Sequence, residues 1–95
     1  MNKRQVAGMR KKLAGLHAEL ATLGPLMRGS IVRIGTRNKQ FYFSLNKDKK
    51  TRLIYLGEMR EPLARRYAQN YRRLLEIVEA MTLINMDLLK NDTGL

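Results

Sequence analysis

The single histidine, His17, sits between Leu16 and Ala18, with no aspartate or second histidine at ligand spacing. An imidazole can relay a proton or hold a metal, but in this setting it reads as a residue of a helix surface or seam. The chain has no cysteine, which excludes disulfides and thiolate metal sites. Glu76 and Glu79 stand one helical turn apart and could enter a carboxylate metal site. Such sites want a histidine three residues after the first glutamate, and that position is Glu79 itself. Glu58 and Glu61 are three apart across a turn. Arg28-Gly29-Ser30 is too short for a phosphate-binding loop. These residues predict no enzyme, no metal and no cofactor.

The basic residues carry more. Lys3, Arg4, Arg10, Lys11 and Lys12 open the chain. Arg33, Arg37, Lys39 and Arg52 flank apolar runs; Lys47, Lys49 and Lys50 crowd a polar turn; Arg65, Arg66, Arg72 and Arg73 form two adjacent pairs. Each cluster alone has a bland reading, as a solvated helix face or as lysines that blunt a sheet edge. Together they make residues 1–73 hold 18 basic against 4 acidic side chains, whereas 74–95 hold one basic residue, Lys90, and four acidic ones. Solubility does not require such an excess, because self-repulsion costs stability. The net charge of +11 predicts a polyanionic partner, DNA or RNA. Most of these cations would contact phosphate, giving affinity rather than sequence choice. Tyr42, read beside Ser44 and Arg52, is the candidate to stack a base; its bland reading is packing at the sheet.

Three elements must position these groups. Val6, Met9, Leu13, Leu16, Leu20 and Leu23 recur at spacings of three and four, a heptad-type seam that predicts a helix over 1–24. Gly24-Pro25 ends it. Residues 29–57 change period: Ser30–Ile34, Gln40–Leu45 and Thr51–Leu56 are β-rich runs, with Asn46–Lys50 as turn material. They predict a three-stranded antiparallel meander. Placing Phe43 opposite Leu53 would put Phe41, Phe43, Leu45, Leu53 and Tyr55 on a core face, with Tyr42, Ser44, Arg52, Ile54 and Leu56 opposite. A slip by one would bring Arg52 to the core. Residues 61–90 predict a long helix with Pro62 in its first turn, followed by a tail at 91–95. The expected fold is α+β: one domain over 1–95, the two helices paired as a hairpin.

The last helix is apolar over more than one seam. Leu74, Leu75, Ile77, Val78, Met81, Ile84 and Leu88 therefore read as an oligomer interface, most simply of a homodimer. This leaves an alternative function, a helical adaptor docking on a larger enzyme such as a transposase. A membrane-surface role is the weakest reading, because the basic first helix lacks Trp and Phe. No signal-peptide core or spanning segment occurs, and the expected location is the cytoplasm.

Several blocks resemble a family of short bacterial and archaeal proteins often encoded beside transposases or on other mobile elements. These are Leu26-Met27-Arg28-Gly29-Ser30-Ile31-Val32, Phe41-Tyr42-Phe43-Ser44-Leu45, Lys50-Thr51-Arg52-Leu53-Ile54-Tyr55-Leu56, Asn70-Tyr71-Arg72-Arg73-Leu74 and Ile84-Asn85-Met86-Asp87-Leu88-Leu89. The resemblance covers about residues 26–90. Many members carry a Cys-rich knuckle where this chain has Arg33-Ile34-Gly35-Thr36-Arg37-Asn38-Lys39, so no metal knuckle is implied here. The resemblance brings no activity with it; it implies a setting of mobile DNA. Three strands followed by a helix are also similar, at the level of fold, to plant transcription-factor and recombinase arm-binding modules whose sheets enter the major groove.

Overall fold

The computed structural model describes residues 1–91, so the expected tail lies, beyond Asn91, outside the described residues. The elements follow as α1 (Lys3–Ala21), β1 (Ser30–Ile34), β2 (Gln40–Lys47), β3 (Lys50–Tyr55) and α2 (Gly57–Lys90). This is the α+β order expected from the sequence, with one antiparallel sheet in the order β1-β2-β3. The chain forms two compact units: Met1–Leu23 with the chain from Arg73 onward, and Gly24–Arg72.

In the first unit, α1 is started by Asn2. Its side chain accepts from the Gln5 backbone N–H at 2.8 Å, and the Gln5 side chain accepts from the Asn2 N–H at 3.0 Å. This reciprocal cap satisfies two orphan donors. The Thr22 hydroxyl donates to the Ala18 and Glu19 carbonyls where the helix ends. The seam Val6, Met9, Leu13, Leu16, Leu20 and Leu23 is half-buried throughout. On α2, Ile77 and Leu88 are buried and Leu74, Ala80, Met81 and Ile84 half-buried. Near the end of α1, Glu19 meets Arg73, at the start of this part of α2. Leu88, far along α2 from that ion pair, is also buried, as the helix pair expected from the sequence requires.

This packing covers part of the stripe expected as an oligomer interface. Ile77 and Leu88 are consumed within the unit, and Leu74, Met81 and Ile84 largely so. Of the seven residues only Leu75 and Val78 face solvent, joined by Met86 and Leu89 in an outward stripe. Val78 and Ile77 are adjacent, and heptad spacing alone does not say which of them faces α1.

In the second unit, the register differs by one residue from the expectation. Phe43 pairs with Ile54, Ser44 with Leu53, Leu45 with Arg52, and Lys47 with Lys50. The turn explains it. Asp48 and Lys49 have φ of 54° and 63°, a two-residue loop of the kind that matches strand twist. It forces Lys47 opposite Lys50, whereas the expected register needs a three-residue loop. Directly paired residues share a face, so Ile31, Arg33, Phe41, Phe43, Leu45, Arg52, Ile54 and Leu56 share one, and Val32, Tyr42, Ser44, Leu53 and Tyr55 the other. Arg52 thus reaches the Phe43 face after all. It is tolerated because it stands at the hairpin end, exposed to water.

Nearer the other end, the Phe43 face packs on α2. Phe43, Leu56 and Ala64 form the buried cluster, with Met27, Ile31, Phe41 and Leu45 against it. Ala64 and Ala68, each 4 % exposed, let the helix come close to the sheet. The connection from α1 is tied to the same stretch of helix: the Met27 N–H donates to the Tyr67 carbonyl at 3.1 Å, and Asn70 Nδ2 donates to the Pro25 carbonyl at 2.7 Å. The helix begins four residues before the expected start, which leaves Pro62 inside it. Past the first turn Pro62 cannot donate to the Glu58 carbonyl, and its ring crowds that carbonyl, so the earlier start carries a local cost.

Candidate nucleic-acid interface

Where α2 leaves the Phe43 face uncovered, the sheet holds an open groove of about 580 Å³ lined by Met27, Arg28, Phe43, Leu45, Lys47, Arg52, Leu53 and Ile54. Its floor is apolar, and Arg28, Lys47 and Arg52 stand around it. A smaller hollow follows at Lys47, Asp48, Lys50 and Arg52. Four exposed cations therefore gather at one end of one sheet face, with Asp48 the one carboxylate lining either hollow. Lys47 and Lys50 stand directly opposite one another, an arrangement that destabilises a sheet. An anion bound between them would relieve that repulsion.

Arg28 is the member that sequence reading missed, because it lies before β1 and outside any basic run. Its Nη1 donates to the Asn46 carbonyl at 3.0 Å, which fixes the guanidinium beside the end of β2. The signal was available only through the fold: residue 28 enters the sheet next to the strand that leaves for the hairpin.

The other sequence-predicted cations are distributed. Arg33 shares the Phe43 face and lies over the Phe41 ring, 5.4 Å from its centroid, a cation–π contact that holds its position. Arg37 and Lys39 are exposed in the β1–β2 loop and Lys49 at the hairpin tip, and no ion pair holds them among the described residues. Arg65 pairs with Glu61 one turn back. Arg65 and Arg72, seven residues apart, line a second hollow with Gly29, Ser30, Ile31, Ala68 and Tyr71. The adjacent pairs are thus regrouped by helix geometry, with Arg66 and Arg73 on a different face.

Arg73 is occupied. Its Nη2 donates to Glu19 at 2.7 Å, its Nε donates to the other Glu19 oxygen, and Nη1 donates to Glu76 at 3.1 Å. The hydrogen bond from Arg73, aided by its charge, holds the Glu19 carboxyl below the usual range. The same bond raises Arg73 above its already high value. Arg73 therefore serves the helix pair and is withdrawn from the basic surface.

Tyr42 and Arg52 are not brought together. The one-residue change of register puts them on opposite faces. Tyr42 packs edge-to-face on Tyr55, with centroids 5.5 Å apart, and the Tyr55 hydroxyl reaches the Gln40 side chain at 3.3 Å.

Among the described residues no group of three or more His, Asp or Glu side chains could hold a metal, and no helix is long and apolar enough to cross a membrane. No protein-family model, curated protein or solved structure matches the chain.

Proposed function

We propose that this chain is a small nucleic-acid-binding accessory protein whose phosphate contacts centre on Arg28, Lys47, Lys50 and Arg52. The observation that carries the reading is the groove at the hairpin end, where these four exposed cations converge and two are held directly opposite each other. Arg33, Arg37, Lys39 and Lys49 extend the surface on the same small sheet, and Arg66 and Arg72 add charge on α2, whereas Arg65 is neutralised by Glu61. Neutralised phosphates release counterions, so binding must weaken steeply with salt. The likeness to proteins of mobile elements makes mobile DNA the proposed setting, and the cytoplasm the proposed location.

The test is binding of the full chain to a labelled DNA duplex, single-stranded DNA and structured RNA at about 50 and 200 mM salt. Tight, salt-sensitive binding to one of them supports the reading and identifies the ligand class. No binding to any at the lower salt overturns it.

A second reading has its own observation. Leu75, Val78, Met86 and Leu89 leave an apolar stripe on α2 in solvent, which suits a helical adaptor or homodimer. Salt-insensitive self-association, or capture by a transposase-like enzyme without nucleic-acid binding, would favour it.

A further inference from the structure

Among the described residues, the outer strand β3 pairs with a strand on one side only. All six of its residues are exposed, and Leu53, Ile54 and Tyr55 are 49 %, 54 % and 47 % exposed. The Leu56 N–H donates to the Phe41 carbonyl at 2.9 Å. Alternation along an antiparallel ladder then assigns the bonds to β2 to Ile54, Arg52 and Lys50. The N–H groups of Thr51, Leu53 and Tyr55 point away from the sheet, as do the carbonyls of Thr51 and Leu53. The Tyr55 carbonyl is taken by Arg60 Nη2 at 2.6 Å.

An open row of donors and acceptors is a template for another strand. The side chains of β3 say which strand. On the Phe43 face it presents Lys50, Arg52 and Ile54; on the other, Thr51, Leu53 and Tyr55. An added strand alternates in the same way, and cross-strand partners of opposite charge or matching apolar character stabilise the pair. We propose that the β3 edge accepts an extended segment of another protein in which acidic residues alternate with apolar ones, the acids lying over Lys50 and Arg52 and the apolar residues over Leu53 and Tyr55. A second copy of this chain fits less well. It would bring another Lys47, Lys50 and Arg52 to the same edge, between molecules that each carry +11.

The experiment uses the full chain and a capped peptide of alternating glutamate and valine. A control peptide of equal composition has its glutamates and valines in separate blocks. The alternating peptide is expected to bind and to slow amide exchange at Thr51, Leu53 and Tyr55, which the block peptide does not do. Leu53→Pro removes an outward donor that no bond to β2 uses, as edge strands tolerate. It should weaken binding about tenfold or more, whereas Leu53→Ala should change it about threefold or less. Retained exchange protection at Arg52 and Ile54 shows that the variant is folded. Should Leu53→Pro not fold, N-methylation of the peptide gives the same answer: at the alternate amides that face β3 it abolishes binding, and at the intervening ones it does not. Equal binding of the two peptides, or binding without protection of the three outward amides, would overturn the proposal in favour of plain charge attraction. So would protection of those amides that appears with protein concentration alone, which would make a second copy the occupant.

Discussion

Gly29 joins the connection to β1 at a place where a methyl group has no room. Its φ is +152°, a backbone region that side chains rarely adopt, and a Cβ there would lie 2.5 Å from Phe43 Cζ and 2.6 Å from the Ser44 carbonyl oxygen. Neither neighbour can yield cheaply. Phe43 is 5 % exposed at the centre of the core, and Ser44 is held in the ladder opposite Ser30. Gly29→Ala therefore combines backbone strain of about 1–3 kcal/mol with overpacking of about 1–3 kcal/mol, giving a loss of about 2–6 kcal/mol. At about 4–8 °C per kcal/mol, Tm should fall by about 8 °C or more. The contrast is Gly15→Ala, where nothing lies within 4 Å of the added atom. There the substitution should stabilise α1 by about 0.5–1 kcal/mol. Urea and thermal unfolding followed by far-UV circular dichroism read both. A Gly29→Ala protein within about 0.5 kcal/mol of the parent would refute the close packing of this connection on the Phe43 face.

In Arg73→Gln, the Glu19 carboxyl should return upward toward its ordinary value, read by NMR titration; an unchanged Glu19 would contradict the ion pair. Because the folded-state value is depressed, the contribution is present above the unfolded value and is lost as pH falls through the depressed one. Stability of the parent should therefore drop more steeply than that of the variant in that acid window, although the exposed setting keeps the effect small. Val78→Glu with Leu89→Glu should leave the far-UV circular dichroism spectrum unchanged and the unfolding free energy within about 0.5 kcal/mol of the parent, since both side chains face solvent. Ile77→Ala should cost about 2–5 kcal/mol, since Ile77 is fully buried; equal damage from both changes would contradict the assigned helix faces.

The order of elements was legible because each has its own period: the heptad seam of Val6 to Leu23, the β-rich runs, and the long helix after Gly57. The register was not. Asp48-Lys49 lacks the Asn-Gly signal of a two-residue turn, yet both residues take positive φ, and this shifts β3 by one residue. That shift moved Arg52 onto the groove and away from Tyr42. Ala64 and Ala68 were not legible because small residues add little to an apolar stripe, although they are where the helix meets the sheet. Of the basic surface, the hairpin lysines and Arg52 could be read directly. Arg28 could not, since only the fold brings the approach to β1 beside the end of β2.

In the proposed function, the cations around the hairpin-end groove contact phosphate. The most direct measurement is the salt dependence of nucleic-acid affinity for the parent and for Lys47→Gln/Lys50→Gln/Arg52→Gln, three exposed side chains without ion pairs among the described residues. Each lost duplex contact should reduce the slope of log affinity against log salt by about 0.9, or about 0.7 for a single strand, so the triple variant should lose about 2–3 in slope with its unfolding midpoint preserved. A variant that binds with the parent's affinity and slope would place the phosphates elsewhere and contradict the account.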